Sequence, residues 1–490
     1  MTCDSLDDVK PVPRRSVLTG LVSAAAASCF PPRLFAADQR SRGATAVVIG
    51  AGIAGLSAGY ELRKAGFTVS IFEKWDFVGG RMREAWMGPL WGPPHALGVL
   101  EANKEMFALG DELGIGDQLA GDNASESFLI DNGVGRYARD LRFHVDEVQR
   151  IPGVSDETKR RLPLLQADLD RIRRDVDPCL MTTGATEDDE SIAAYYERVL
   201  GKDAAKQVID YWVDPVLDAW GWPVTSTSKM AILPWFSQQQ ARTVVPRGGI
   251  GVLTRRLGAI LPVQTRTTVR CVTPPDSSGR CTIHYLTPDF ERKTVTPDVV
   301  VCATEGKYVS SIVQGLSSQQ QSYFKSIDFT KAAAVSYVFD KQHQPHSPAG
   351  GAYIPNHPDP LRRRVMLWQI SPGDPHAKGH PATASIALSR LETLKWQVSG
   401  KTMPEYCLPL LQRFYPEINE KIIADVVVAG CDDLMYVPLG NIRKAAEILR
   451  EQESAKRSLY FAGEYMAGAH TGAACASGRT VARTIARHWA

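Results

Sequence analysis

Residues 46–81 are the stretch that most constrains how this chain can fold. An apolar run, Ala46–Ile49, is followed by a glycine-rich turn at 50–55, a helical pattern through Ala65 and a second apolar run that ends at Glu73. This order is typical of a dinucleotide-binding βαβ unit: a strand, a turn, a helix, a second strand and an acid. A GxGxxG match alone would be weak evidence, but the flanking pattern agrees with it.

Each small residue of the turn has its own physical role in this interpretation. Gly50 makes the tight turn, Gly52 lets the backbone approach a pyrophosphate, and Gly55 lets the helix pack close to the strand. Ala54 lies at the start of the helix, where N–H groups and the positive end of the dipole favour phosphate. Glu73 is placed to accept hydrogen bonds from an adenosine ribose.

A second motif overlaps this turn. Gly55-Leu-Ser57-Ala-Gly59 matches the GxSxG elbow of hydrolases, in which the serine is a nucleophile. Because Ser57 falls inside the predicted helix rather than on the turn, we expect it to be a helix-surface or packing residue.

Residues 74–81 favour FAD over NAD. Lys74 follows the acid directly, and Gly79-Gly80-Arg81 offers further N–H groups and a guanidinium to the same phosphates. On its own the Gly-Gly pair would equally be an ordinary loop.

The C-terminal segment repeats this pattern. Residues 458–464 predict a strand that ends in Ala-Gly-Glu, and a loop and a helix over 472–488 follow. Glu464 can accept hydrogen bonds from ribityl hydroxyls. Gly472 and Ala473 can place N–H groups at the flavin N1/C2 carbonyl, where reduction builds negative charge. The two ends together predict one FAD held by distant parts of the chain.

The composition excludes several other classes of protein. The chain has 490 residues, 44% of them hydrophobic, which is enough for two substantial cores. A formal net charge of +2 and the lack of a basic run argue against a nucleic-acid partner. The nine cysteines form no CxxC pair, so no metal site is predicted.

Residues 1–37 are predicted to be a twin-arginine export segment. Arg14-Arg15 precedes a weakly apolar run from Leu18 to Phe30 that is too short to span a membrane. A disordered basic tail is the alternative, and the cleavage site and lipidation at Cys29 stay open. The expected location is the periplasm or its membrane surface.

With both ends in view, the chain resembles the flavin amine oxidase superfamily, which includes amine oxidases, protoporphyrinogen oxidases and phytoene-type desaturases. The resemblance covers about residues 44–490 and is specific at the opening motif, the turn 246–251, the strands near 269 and 299–304, and 461–478. It implies an α/β fold: an FAD-binding Rossmann-type domain, similar to that of glutathione reductase, built from discontinuous segments, plus an α+β substrate-binding domain. By similarity, the contacts to non-covalently bound FAD are Gly50, Gly52, Ala54, Gly55, Glu73, Lys74, Gly80, Arg81, Val269, Glu464, Gly472 and Ala473.

The expected domain boundaries follow from these segments. Residues 44–115, 241–310 and 436–490 are assigned to the FAD-binding domain. Residues 116–240 are assigned to the helical part of the substrate domain, and residues 311–435 to its sheet.

Three observations favour the dehydrogenase branch of the superfamily. Residues 92–98 are similar to a motif of plant-type phytoene desaturases, and Tyr436–Gly440 resembles a segment of those enzymes and of protoporphyrinogen oxidases. Amine oxidases usually place a lysine on the strand beside flavin N5, where this chain offers Ala334 or Val335. We therefore expect desaturation or allylic oxidation of a hydrophobic molecule, such as a terpenoid or alicyclic compound, by hydride transfer to flavin N5.

Two other functions stay open at this point. One is an FAD amine oxidase that produces an imine and hydrogen peroxide. The other is a flavin-binding subunit without activity that stabilises a homologous dehydrogenase. The electron acceptor (oxygen, a quinone or a redox protein), membrane association and the formation of a homo- or heterodimer are also open.

The substrate pocket is expected to be apolar and aromatic. The catalytic candidates are Tyr436 and His95, and the candidates for the pocket lining are Trp220, Trp222, Trp235 and Trp368. For each there is a simpler explanation, because a loop histidine is often structural and a tryptophan is more often part of a core. His470 is expected to line the site or to cap the last helix, and Cys431 is not expected to bind the flavin covalently.

Overall fold

Strands and helices alternate through the N-terminal motif as its sequence predicts. The computed structural model describes residues 43–83, 99–123, 127–131, 144–150, 153–214, 217, 220–239, 241–339, 350–355, 366–371, 383–388, 390–412 and 416–490. The predicted export segment 1–37 with Cys29, the stretch with His95 and the side chain of Trp368 lie outside what is described.

The strands of the described residues belong to four sheets. They are β1 (Thr45–Ile49), β2 (Thr68–Phe72), β3 (Val99–Leu100), β4 (Gly121–Asn123), β5 (Ser127–Asp131), β6 (Thr243–Pro246), β7 (Val263–Gln264), β8 (Thr268–Val272), β9 (Ile283–Leu286), β10 (Arg292–Val295), β11 (Val299–Cys302), β12 (Asp328–Phe339), β13 (Gly350–Pro355), β14 (Met366–Ser371), β15 (Thr383–Leu388), β16 (Ile423–Tyr436) and β17 (Leu459–Phe461).

The helices cover the sheets or form a separate helical region. They are α1 (Ile53–Lys64), α2 (Lys104–Glu112), α3 (Gly116–Leu119), α4 (Val145–Gln149), α5 (Asp156–Asp175), α6 (Ile192–Leu200), α7 (Lys202–Val208), α8 (Leu233–Phe236), α9 (Val252–Ile260), α10 (Gly306–Ile312), α11 (Ser318–Ser326), α12 (Arg390–Val398), α13 (Met403–Gln412), α14 (Asn441–Ser454) and α15 (Thr471–Trp489). None of the helices in the described part of the chain combines the length and the apolar character that a bilayer crossing requires.

A five-stranded parallel sheet is built from three distant parts of the chain. Its order is β17-β11-β1-β2-β7, and every neighbouring pair is parallel. Strand β1 lies at the centre, between β11 and β2. This arrangement confirms the predicted Rossmann-type domain assembled from discontinuous segments.

The two faces of β1 enter different cores. Val47 and Ile49 pack into a core that includes the helical region, whereas Ala46 and Val48 pack into a core with α1 and α15. Successive side chains of a strand point to opposite faces, so a strand covered on both sides reads as a continuous apolar run. The central sheet is therefore tied directly to the helical region on one of its faces.

A six-stranded sheet forms the second large unit. Its order is β16-β12-β15-β14-β13-β5, and β12 pairs antiparallel with β16 from Asp328 opposite Tyr436 to Phe339 opposite Ile423. Helices α12 and α13 pack on this sheet and share a core with Val335 and Ile386. This is the sheet of the α+β substrate domain.

Some strands were not predicted from the sequence. β16 is long and contains acidic residues such as Asp425 and Asp432, so it lacks a clean alternation of apolar and polar residues. β4 and β5 lie in the stretch 116–240, which was expected to be mainly helical. β5 becomes a strand through parallel pairing with β13, which is far away in the sequence.

The first and last helices approach each other at glycine. A Cβ atom at Gly478 of α15 would lie 2.1 Å from the carbonyl oxygen of Ala54 in α1. Any side chain there would push the helices apart, so the last helix can lie against the first only because residue 478 has no Cβ.

This contact predicts the effect of a single added methyl group. Gly478→Ala should lower the free energy of unfolding by about 1–3 kcal/mol, the usual cost of overpacking a core. Arg487→Ala, at an exposed position of the same helix, is the control and should change it little. Denaturant unfolding of both variants tests this, and equal stabilities would show that the two helices are not held at this distance.

Candidate active site

The turn between β1 and α1 has the geometry of a phosphate cradle. Gly50 has φ +103°, and a Cβ there would lie 2.7 Å from the carbonyl oxygen of Ala303. A Cβ at Gly55 would lie 1.9 Å from the carbonyl oxygen of Gly50. A Cβ at Gly52, in contrast, would meet no heavy atom within 4 Å. Gly50 and Gly55 are therefore required by the fold, whereas Gly52 presents bare backbone to open space, as a pyrophosphate site needs.

Ser57 is not a nucleophile. It is fully buried in α1, and its Oγ is hydrogen-bonded to Sγ of Cys475 at 3.3 Å. The prediction that it is a packing residue is therefore confirmed. Ala54, one turn earlier, is also buried and packs against α15.

Glu73 is a buried acid directly after β2. Its carboxylate accepts hydrogen bonds from the N–H groups of Ala51 at 2.8 Å and Trp75 at 2.9 Å. Burial raises the pKa of Glu73, and these backbone donors act in the opposite direction. The N–H of Thr267 donates to the carbonyl of Glu73, so the strand that carries Val269 begins beside this acid. The acid predicted to bind the ribose and the strand that carries Val269, a predicted contact of FAD, are thus neighbours.

The Gly-Gly-Arg segment folds back onto the first turn. The N–H of Gly79 donates to the carbonyl of Ala51 at 2.8 Å, and a Cβ at Gly80 would lie 3.5 Å from Cα of Gly52. Arg81 then forms an ion pair with Glu464. Two predicted contacts of the cofactor, which are 383 residues apart in the chain, therefore meet next to the open backbone of the turn.

His470 caps the last helix. Its Nδ1 accepts from the N–H of Ala473 at 3.2 Å, and its Nε2–H donates to the carbonyl of Pro178 at 2.7 Å. Burial lowers the pKa of His470, against smaller opposite effects of Pro178 and Asp177, so the ring is neutral at physiological pH. Of the two roles expected for His470, the structure shows the cap.

This cap changes the assignment at the helix N-terminus. The N–H of Ala473 was expected to face the flavin, but it is directed to the imidazole of His470. Gly472 packs against the buried side chain of Asn103, because a Cβ at Gly472 would lie 2.2 Å from Cγ of Asn103. Asn103 in turn accepts a hydrogen bond from Sγ of Cys179 at 3.2 Å. Sequence reasoning missed Asn103 as a neighbour of this helix end, because the contact is made only by the fold.

Three of the four predicted pocket tryptophans come together. The ring centroid of Trp220 lies 5.5 Å from that of Trp222 and 5.3 Å from that of Trp235. Trp222 is buried, whereas Trp220 and Trp235 are only partly buried. Oγ1 of Thr330, near the start of β12, donates to the carbonyl of Trp220 at 2.8 Å.

Tyr436 lies at the same end of the second sheet. It is opposite Asp328 in the β12–β16 pair, and its hydroxyl donates to Oγ of Ser226 at 2.6 Å. The next residue of β12, Phe329, has its ring centroid 5.5 Å from the guanidinium carbon of Arg81. Tyr436 and Phe329 thus lie at the same end of the sheet but on opposite faces, because Tyr436 pairs with Asp328 and successive side chains of a strand alternate.

The lysine comparison needs correction. Val335 lies in the core between the second sheet and its helices, with Met403 and Cys407, so it does not line a cofactor site. The strand also begins earlier than expected, at Asp328, and includes Lys331 opposite Asp432. This overturns the comparison at Val335 only; the comparison at Ala334 and the two motif resemblances that favour the dehydrogenase branch stay predictions.

Among the residues that the structure describes, no cluster of three or more His, Cys, Asp or Glu side chains could hold a metal ion. Acids, cations and backbone N–H groups around an open glycine turn fit a dinucleotide instead. The fold and the site thus define a flavoprotein oxidoreductase of the Rossmann type.

Comparison with known proteins agrees with this class. The family of flavin containing amine oxidoreductases matches residues 53–486. L-amino-acid oxidase of Protobothrops flavoviridis is 23% identical over 475 residues, which cover 90% of this chain and 88% of that protein. Protoporphyrinogen oxidase 2, chloroplastic/mitochondrial, of Arabidopsis thaliana is 25% identical over 179 residues, 35% of this chain but only 32% of that protein. The structure of cyclohexylamine oxidase from Brevibacterium oxydans superimposes with a TM-score of 0.62 at 16% identity, covering 91% of this chain and 99% of that one.

The chain belongs to the flavin-containing amine oxidoreductase family and is an FAD-dependent oxidoreductase. This confirms the resemblance on which the sequence interpretation was built. The family match over most of the chain shows the family and the similar structures show the fold, and the substrate is left to be argued from the site.

The two glycines at the turn should respond differently to the same substitution. Gly52→Ala should fold with nearly unchanged stability, because its Cβ meets open space, but it should lose FAD by blocking the pyrophosphate. Gly55→Ala should be strongly destabilised, because its Cβ would collide with the carbonyl oxygen of Gly50. Flavin absorbance per protein and the thermal unfolding midpoint separate the two effects. If Gly52→Ala keeps its full flavin content, the pyrophosphate does not bind at Gly52.

The His470 cap predicts a pH-dependent stability. The pKa of His470 is lowered in the folded protein, so the unfolded chain binds this proton first as the pH falls below about 6.5. The contribution of the cap is therefore complete above about pH 6.5 and decreases below it. His470→Asn keeps an acceptor without a titrating ring, so it should lose less stability between pH 7.5 and 5, whereas His470→Ala should be about 1 kcal/mol less stable already at pH 8. Denaturant unfolding across this range tests the idea, and identical pH slopes for the wild type and His470→Asn would contradict it.

Proposed function

We propose that the protein holds FAD non-covalently and dehydrogenates a hydrophobic small molecule by desaturation or allylic oxidation. Bound FAD supplies the hydride acceptor for this chemistry. The residues that fit the cofactor are the bare backbone at Gly52, the carboxylate of Glu73 and the ion pair of Arg81 with Glu464. All of these are non-covalent contacts.

The cluster of tryptophans is the observation that supports a hydrophobic substrate. Trp220 and Trp235 are partly buried and have their ring centroids 5.3 Å apart, so they form a largely apolar surface. Apolar and aromatic walls favour a hydrophobic ligand, because burying it releases water from both surfaces. Thr330, which donates to the carbonyl of Trp220, directly follows Phe329, whose ring lies beside Arg81, and this nearness along β12 supports a substrate position near the cofactor.

Tyr436 is our candidate for the proton that accompanies the hydride. Forming a double bond removes a hydride from one carbon and a proton from its neighbour, and the proton needs a path to solvent. The hydroxyl of Tyr436 can accept it while passing its own proton to Ser226, which is exposed. In allylic oxidation the same pair would hold the water that adds to the oxidised carbon.

Amine oxidation is a second candidate, and specific observations favour it. One relative that matches over 90% of the chain is named an L-amino-acid oxidase, and one of the similar structures is a cyclohexylamine oxidase. Lys331 also lies on β12, near the strand end that reaches Arg81. Amines and L-amino acids are therefore included among the compounds in the flavin-reduction experiment described next.

Anaerobic reduction of the purified yellow protein tests these functions together. The protein is mixed with cyclic terpenes, alicyclic ketones, primary amines and L-amino acids, and loss of flavin absorbance is followed over time. We expect bleaching by a terpene or an alicyclic compound. Bleaching by amines alone would overturn the leading proposal in favour of amine oxidation. No bleaching by any compound, with flavin retained, would favour a non-catalytic partner subunit.

The same assay defines the role of Tyr436. Tyr436→Phe should slow flavin reduction by about 100-fold, the lower end of the range for general acid–base catalysis, and leave the flavin content unchanged. Tyr211→Phe is the control, because Tyr211 lies on another segment and contacts Gly153. An unchanged reduction rate in Tyr436→Phe would remove this tyrosine from the chemistry.

A further inference from the structure

Two large aromatic side chains are exposed at the rim of the cofactor site. Trp75 and Tyr308 each have 41% of their surface exposed. Trp75 follows the buried acid Glu73 after one residue, and Tyr308 lies on α10, shortly after β11 ends. Exposed rings of this size are costly in water, so their position beside a nucleotide site calls for a physical reason.

Trp75 is held rigidly from one side. Its indole stacks on Phe77 at a centroid distance of 6.1 Å and an interplanar angle of 3°. The guanidinium carbon of Arg83 lies 4.3 Å from the centroid of the Phe77 ring. Because Arg83 and Phe77 support the indole, its orientation is set before any ligand arrives, which reduces the entropy lost on binding.

Lys74 connects the two exposed rings. Its ammonium lies 5.1 Å from the centroid of Trp75 and 4.8 Å from that of Tyr308. Both distances are within the range of a cation–π contact. One ammonium therefore bridges two aromatic faces that are large enough to bind a planar ring system.

Backbone hydrogen bonds join Trp75 to Glu73, the acid predicted to bind the ribose. The N–H of Trp75 donates to Glu73 at 2.9 Å, and its carbonyl accepts from the N–H of Arg266 at 2.8 Å. Arg266 has φ +51°, a left-handed conformation that is uncommon for a residue with a side chain. Strained backbone of this kind is found where a loop has to be held in one position for function. A base attached to a ribose on Glu73 would reach this rim, since it is joined directly to the sugar.

A second lysine, Lys307, extends these contacts between cations and rings toward Arg81. The ammonium of Lys307 lies 5.3 Å from the centroid of Tyr308 and 4.7 Å from that of Phe329. The other cation on Phe329 is Arg81. Lys307 thus lies between Tyr308, one of the exposed rings, and Phe329, the ring that Arg81 also contacts.

We propose that Trp75 and Tyr308 form a stacking platform for the adenine of FAD, and that Lys307 neutralises its phosphates together with Arg81. Binding of the adenine displaces the ammonium of Lys74 from between the rings. The platform adds adenine-specific affinity to a site whose flavin end is held by the C-terminal segment. It therefore selects FAD over FMN.

The release of FAD from the holoenzyme tests this platform without any substrate. Free flavin is followed by its fluorescence after dilution of the yellow protein. Trp75→Ala and Tyr308→Ala should each release FAD about tenfold faster or more, as expected for the loss of one base–aromatic stack. Trp75→Phe keeps an aromatic face and should stay within about threefold of the wild type. Phe290→Ala removes an even more exposed ring, from the β9–β10 turn, and should not change the release rate.

Competition separates an adenine contact from a general effect on the fold. Protein that has been stripped of FAD and shown to refill completely is titrated with FAD in the presence of ADP or FMN. The inhibition constant of ADP should rise in Trp75→Ala by about the same factor as the release rate, and that of FMN should not change. Wild-type release rates in both alanine variants, or an equal loss of ADP and FMN binding, would overturn the proposal. Lys307→Ala should weaken competition by pyrophosphate, and unchanged competition would remove Lys307 from the phosphate site.

Discussion

The close approach of the last helix to the first is the constraint on which the cofactor site depends. It is possible only because Gly478 has no side chain where the carbonyl of Ala54 passes. This packing fixes α15 and the segment before it against the β1–α1 turn, and so Glu464 meets Arg81 across 383 residues of sequence. If the helices moved apart, Glu464 and Arg81, two of the predicted contacts of FAD, would no longer form this ion pair.

The choice of a histidine as the helix cap fits the same site. A carboxylate would cap the helix as well, but it would bring a negative charge that offsets the positive end of the helix dipole. The neutral imidazole of His470 binds the N–H of Ala473 and leaves the helix dipole unbalanced. The second ring nitrogen of His470 donates to the carbonyl of Pro178, so the same side chain also joins the segment with Pro178 to the N-terminus of α15.

The residues that we propose for the substrate side come from three separate segments. The loop with Trp220 is hydrogen-bonded to Thr330 at the start of β12, and β12 pairs with the end of β16. Of these segments, β12 reaches Arg81, through Phe329. The aromatic surface is the ground for the proposed hydrophobic substrate, and amine oxidation is the second proposed function. Both functions use the same hydride acceptor, so the family alone does not separate them.

The sequence by itself determined the features that depend on neighbours in the chain. The turn of Gly50, the packing of Gly55 and the acid at Glu73 follow from spacing, because a strand, a tight turn and a helix within one βαβ unit leave few alternatives. The paired ends of the FAD domain could also be predicted, since each carries its own strand–glycine–helix pattern. Only the tertiary structure decided that His470 caps α15, that β16 is a long strand, that Val335 is a core residue and that Lys74 lies between Trp75 and Tyr308. These depend on contacts between residues far apart in sequence, and local propensity and periodicity contain no information about which distant segments will pack together.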